Sequence, residues 1–381
     1  MSAGEVASVP TAAGPLMPES GSSSTGTPAA QPLPATPTSY AVSPVSGRRP
    51  LLTWLAVGTA VVSLALSVAA PMATIVLGLV FFGVLAATLS SRYLLGRFAP
   101  LLDPTFVRVL GVLITGVALS GLLATVVGRP AELVAVVLGY GVLAAAVHQW
   151  TGTRRRVVAW AVIAAALALS LSFPAYHLVV LGYLLALAPL GFLWEWSRGL
   201  RETGARRGFR GALLLGWVGV PVLLLSGALD RWLSTEPGQV RSVVGDGAAI
   251  LRFTTLPGTE GTPLAARMLA LTAFLGTLGY AAWLVFFPRA APEATEVVEA
   301  RLTWATGPRV WAGAFTAAAG LAVVFAVDFG RATAVLGAIS AYPVLVGVAL
   351  LVVLAGSGGR EKTLPPPPES TYGRRTEPEG R

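Results

Sequence analysis

Along this chain the polar residues do not spread evenly; they collect at both ends and at a few breaks between long apolar runs. About 20 mostly apolar residues, wound as a helix, cross a hydrocarbon core about 30 Å thick. Ten runs meet that test: 51–70, 72–89, 106–127, 131–150, 157–173, 176–196, 211–229, 265–287, 310–327 and 332–355. The second, fifth and ninth are slightly short, which helices with little tilt accommodate. The expected fold is all-α: a polytopic integral membrane bundle of about ten transmembrane helices.

What flanks the runs divides the chain further. Residues 1–47 are rich in Ser, Thr, Pro, Ala and Gly and bury too little apolar surface to offset ordering entropy, so a disordered tail is expected. The tail lacks the basic start of a secretory signal, and Pro71 disfavours cleavage after Ala70, so the first run is expected to stay as an anchor. The transmembrane domain then covers 48–356. Within it, 230–264 is the one large outer loop, whose "AAILRF" (248–253) suits either the membrane surface or the lid of a cavity. Residues 292–306 predict a short cytoplasmic helix, with Pro292 in its first turn, glutamates near its positive end and Gly307 as its stop. Residues 357–381 form a second tail, also expected to be disordered. Its "LPPPPES" favours polyproline II, which docks aromatic grooves on protein partners and more commonly serves as a spacer.

Charge orients the bundle. With both termini in the cytoplasm and ten alternating spans, 21 basic residues fall on the inner side and 6 on the outer. Cytoplasmic loops carry the excess of Arg and Lys, so both ends are expected inside. Nine of the ten tryptophans fall in the inner half, the pattern of indoles anchoring at a membrane interface.

Composition narrows the chemistry. Apolar residues make up 54% and charged residues 12% of the chain, about half the charge of a soluble domain. Cysteine is absent, which excludes disulfides, thiolate metal sites, iron–sulfur clusters and cysteine-attached haem. The net charge of +9 does not imply a nucleic-acid partner, because the arginines sit at helix ends where topology accounts for them. Lys362 is the only lysine; this arginine bias, with abundant Ala, Gly and Pro, points to GC-rich bacterial coding and a bacterial plasma (inner) membrane.

Ionisable groups inside spans usually mark function, and here they are few. The two histidines, His148 and His177, fall at opposite ends of their spans, too far apart to share a metal. Glu195 with Arg198, Asp328 with Arg331 and Asp230 with Arg231 read as ordinary ion pairs. Neither a phosphate-cradling Gly-rich loop with Lys nor HExxH occurs, so no cofactor, no metal and no catalytic residue are expected.

A different signal is the pentapeptide "VVLGY", at 136–140 and 179–183. Its flanks do not match, so it is not the trace of a duplicated hairpin. It does place Tyr140 and Tyr183 near mid-depth in spans of the same direction, joined by Tyr342 and, deeper, Tyr280. A phenol in hydrocarbon needs a partner. Either the tyrosines bond to neighbouring helices, with Gly139, Gly182 and Gly279 allowing close approach, or they line a ligand site for an apolar or weakly polar molecule. Pro189, Pro221 and Pro343 free backbone carbonyls that could shape such a site. The expectation is a permease or exporter of a small, largely apolar or weakly polar cargo. The alternatives are a non-catalytic scaffold or accessory subunit and, third, a membrane-embedded enzyme acting on a lipid or isoprenoid.

Overall fold

The computed structural model describes residues 49–98, 102–200, 202–245, 247–301 and 307–356. Both expected tails, with the proline run in the second, lie outside the described residues, as do 302–306 of the expected cytoplasmic helix. Among the described residues 88% are helical and none is in a strand. The helices are α1 (Arg49–Ala69), α2 (Pro71–Phe98), α3 (Pro104–Val127), α4 (Arg129–His148), α5 (Thr153–Ser172) and α6 (Pro174–Ser197). They continue with α7 (Thr203–Leu225), the short α8 (Ala248–Thr254), α9 (Pro263–Ala290), α10 (Pro292–Arg301), α11 (Gly307–Val327) and α12 (Phe329–Gly356). Among the described residues nine of these are long and apolar enough to cross a membrane; α1 contributes a shorter apolar stretch, Thr53–Ala69.

Local chemistry explains the helix starts. Proline stands in the first turn of α2, α3, α4, α6 and α9, where a missing N–H would have had no partner. Asp103 caps α3 by accepting from the Phe106 N–H at 3.1 Å, and Thr262 caps α9. At one end of the bundle the links shrink to single residues: Ala70, Gly128 at φ 77°, Phe173 and Asp328. The long segment 226–262 between α7 and α9 lies at this same end, and the opposite, terminal end holds links of a few residues and most of the arginines.

Two helices form the axis. The apolar windows of α2 and α9 are 56% and 50% buried, against 6% for α5 at the periphery. They run parallel, Met72 packing near Leu269 at one end and Tyr93 against Phe287 at the other, their rings tilted by 35° with centroids 4.3 Å apart. α1 lies antiparallel to α9, and α12 packs against α2, α3 and α4.

Three spans contain a π-helical turn: Gly78–Phe82 in α2, Leu215–Gly219 in α7 and Ala282–Phe286 in α9. Two have a covalent cause. Pro221 and Pro288 cannot donate to the carbonyls of Trp217 and Leu284, so the ladder widens just ahead of each proline. Pro189 acts more strongly, breaking α6 at Leu187.

Two sequence expectations are corrected. The glycines preceding the tyrosines are not the close-approach points: Gly139 and Gly182 face open space and Gly279 is in ordinary contact with Pro189. Close approach occurs at Gly96, whose hydrogen faces the backbone of Ala294 on α10 with no room for a methyl. Gly307 is the first residue of α11. Several tryptophans are core rather than anchors. Trp196 and Trp217 are buried with Tyr93, Phe98, Phe192 and Phe287, while Trp54 and Trp160 remain exposed. Among helices that all pass through lipid, burial follows which neighbours pack, not depth alone.

Candidate functional site

The loop end is closed by its own chain. After α7 the segment makes a helical turn at Arg241–Val244 and then α8, and both fold inward. Val240 and Val244 join Met72, Ile75, Phe325 and Phe329 in one apolar cluster, and Ile250 is fully buried. Gly247, at φ 77°, supplies the left-handed turn into α8 and lies directly against the Met72 side chain. The carbonyl of Thr254, at the end of α8, lacks an intrahelical donor, as the last carbonyls of any helix do. Tyr183 fills that gap: its hydroxyl shares a proton between the carbonyls of Thr254, at 2.8 Å, and Met268, at 2.9 Å, while accepting from Thr272 at 3.0 Å. α8 thus lies as a lid of chain on the loop end of the bundle, with Ile250 and Thr254 turned inward and Phe253 left exposed.

The other tyrosines go to different helix pairs. Tyr140 and Ser170 hydrogen bond at 2.8 Å, joining α4 to α5, and His177 packs on the same ring. Tyr342 and Thr115 pair at 3.0 Å, joining α12 to α3. Tyr280 lies against Gly78 and Phe82 at the α2 π-turn and makes no hydrogen bond among the described residues. No two of the four touch each other.

Below the lid, in the half of the bundle toward the terminal end, a cavity of about 30 Å³ lies between α1, α6, α7 and α9. Leu55 and Thr59 from α1, Trp217 from the α7 π-turn, and Leu278, Ala282 and Phe286 from α9 line it. Such a space suits one small polar group. Trp217 is buried and its indole N–H has no partner; Ser63, one turn beyond Thr59 on α1, is fully buried with an unpartnered hydroxyl. A buried unpaired donor costs about 1–3 kcal/mol, so its retention asks for a reason. Sequence reading missed Trp217 because an indole in a span looks like an anchor. Pro221, four residues on, was the available signal.

The charged pairs are peripheral to this cavity. Glu195–Arg198 and Asp328–Arg331 pair as their spacing suggests. Asp230 does not pair with its neighbour: Arg267 on α9 grips both its carboxylate oxygens, at 2.8 and 2.6 Å, while Arg231 stacks on Trp232. The hydrogen bonds from Arg267 hold the Asp230 carboxyl below the ordinary carboxylate range. At the terminal end, buried Arg92 on α2 pairs with Glu299 on α10 and ties that helix to the bundle. Among the described residues no three His, Cys, Asp or Glu side chains gather as a metal site.

The fold points to a class, a multi-pass membrane protein, on the strength of the nine long apolar helices among the described residues. Compared with family models, curated proteins and solved structures, the chain matches none of them.

Proposed function

We propose that the chain is a permease or exporter of a small, largely apolar or weakly polar molecule, seated in a bacterial plasma membrane with about ten spans and both termini in the cytoplasm. The carrying observation is the unpartnered Trp217 N–H at a cavity flanked by two π-helical turns. A cargo carbonyl or ether oxygen would satisfy that N–H, and π-turns are where helices absorb changes of register and bend. Tyr280, two residues from the lining Leu278 and Ala282 and so on the opposite face of α9, is turned to Gly78 and Phe82 of α2 and lies outside the cavity. Tyr140, Tyr183 and Tyr342 serve this reading as helix and lid fasteners. Alternating exposure would need the lid to leave α6 and α9 and α1 to shift on α9.

The test is flux across proteoliposomes, measured with a panel of small uncharged lipophilic fluorophores. Transport by the wild type that falls in Trp217→Phe, at equal folded yield, supports the proposal. Absence of flux for the whole panel, together with stable co-purification of another membrane protein, would favour a scaffold. The exposed apolar flank of α5 is what recommends that second reading.

A further inference from the structure

A second feature lies outside the axis, at the terminal end, where α4, α5 and α12 enclose a groove of about 750 Å³. This is within the size range of small-molecule sites. Its walls are apolar, formed by Val147 of α4, Val158 and Val162 of α5 and Val352 of α12. Val158 and Val162 are also exposed on the bundle's outer flank, so the groove opens sideways, toward lipid. Trp150 sits at one end, its indole N–H donating to the Val352 carbonyl at 2.9 Å.

Arg154 and Arg155 line that same end. Neither makes an ion pair or hydrogen bond among the described residues. With Arg156 they occupy the first turn of α5, the positive end of its macrodipole, where cationic side chains are disfavoured unless an anion is close. No carboxylate of the enclosing helices compensates: the one acidic residue on α4, α5 and α12 is Glu132, at the far end of α4. Uncompensated guanidinium charge at the mouth of an apolar trough is complementary to one kind of molecule, an anion with a hydrocarbon tail.

We propose that this groove binds an anionic glycerophospholipid of the adjoining leaflet. Its phosphate is held by Arg154 and Arg155, whose planar guanidinium groups match phosphate oxygens in pairs, and its acyl chain lies along Val158, Val162 and Val352. The site is separate from the Trp217 cavity and does not depend on the transport proposal.

The experiment is native mass spectrometry of the full-length chain in detergent, titrated with phosphatidylglycerol, with phosphatidylcholine of the same acyl chains, and with glycerol 3-phosphate. Phosphatidylglycerol is expected to bind most tightly. The double variant Arg154→Gln/Arg155→Gln should weaken it by about tenfold or more, the scale of one lost charge-assisted contact. Val162→Trp, which fills the trough and leaves the charge, should weaken it as well. Arg207→Gln, an exposed arginine elsewhere at the same end, should leave binding unchanged. Equal affinity for phosphatidylcholine, full binding by the double variant, or equal competition by glycerol 3-phosphate would each overturn the proposal.

Discussion

The Tyr183 hydroxyl on α6 lies 2.8 Å from the carbonyl of Thr254, 71 residues further along the chain. That bond fastens the lid at the loop end to the interior of the bundle. The carbonyl belongs to the end of α8, buried where no water reaches, so the phenol is the donor the helix itself cannot provide.

Replacing Tyr183 by phenylalanine should therefore act on the lid. The loss of a donor to two buried carbonyls is expected to lower stability by about 1–3 kcal/mol. Hydrogen exchange over 248–262 should quicken while the amides of α2 and α9 stay protected. Tyr140→Phe leaves only the Ser170 hydroxyl unbonded and should cost about 1 kcal/mol or less, a difference readable in thermal unfolding in detergent. Equal destabilisation by the two changes would contradict the latch.

The opposite end depends on a missing methyl. Gly96→Ala would drive a β-carbon into the Ala294 backbone, so α10 has to move and the Arg92–Glu299 pair with it. Overpacking of this kind costs about 1–3 kcal/mol. Glu299→Gln, which leaves Arg92 buried with a neutral partner, should destabilise less than a fully buried pair would, because Glu299 is partly exposed. Proteolysis near Arg301 in both variants is the measurement. Wild-type resistance in Gly96→Ala would be inconsistent with the close packing.

Acid should loosen the lid through Asp230. Its folded pKa is depressed by Arg267, so the stabilisation is present above the ordinary carboxylate pKa and is lost as pH falls through the depressed value. Hydrogen exchange of 230–262 should rise below about pH 4, the unperturbed carboxylate range, and Asp230→Asn should show the loosened state already at neutral pH with a flatter acid dependence. A pH profile unchanged by the substitution would assign the acid response to another group.

Trp217→Phe is expected to separate stability from transport. The smaller ring loses some packing, but the unpaired N–H goes too, and the two effects oppose each other. A net change within about 1 kcal/mol in thermal unfolding, beside a clear fall in flux, is the expected result. A large drop in stability would mean that the indole N–H is satisfied in the membrane-embedded protein.

Orientation can be checked independently of any cargo. Reporter fusions after Arg48 and after Arg381 should both report the cytoplasm, because the arginine excess lies with the termini.

The sequence by itself determined that this chain forms membrane-length apolar helices, where their prolines and capping residues start them, and which orientation the arginines favour. These are local properties: a run of 20 apolar residues is visible without knowing its neighbours. What only the tertiary structure decided is which side chains meet. α5 and α9 both read as apolar spans, yet one is almost wholly exposed and the other half-buried. In lipid, the face turned to the bundle and the face turned outward are equally apolar, so no periodicity separates them. For that reason the separate partners of Tyr140, Tyr183 and Tyr342, the pairing of Asp230 with Arg267 in place of Arg231, and the empty-handed Trp217 had to come from packing.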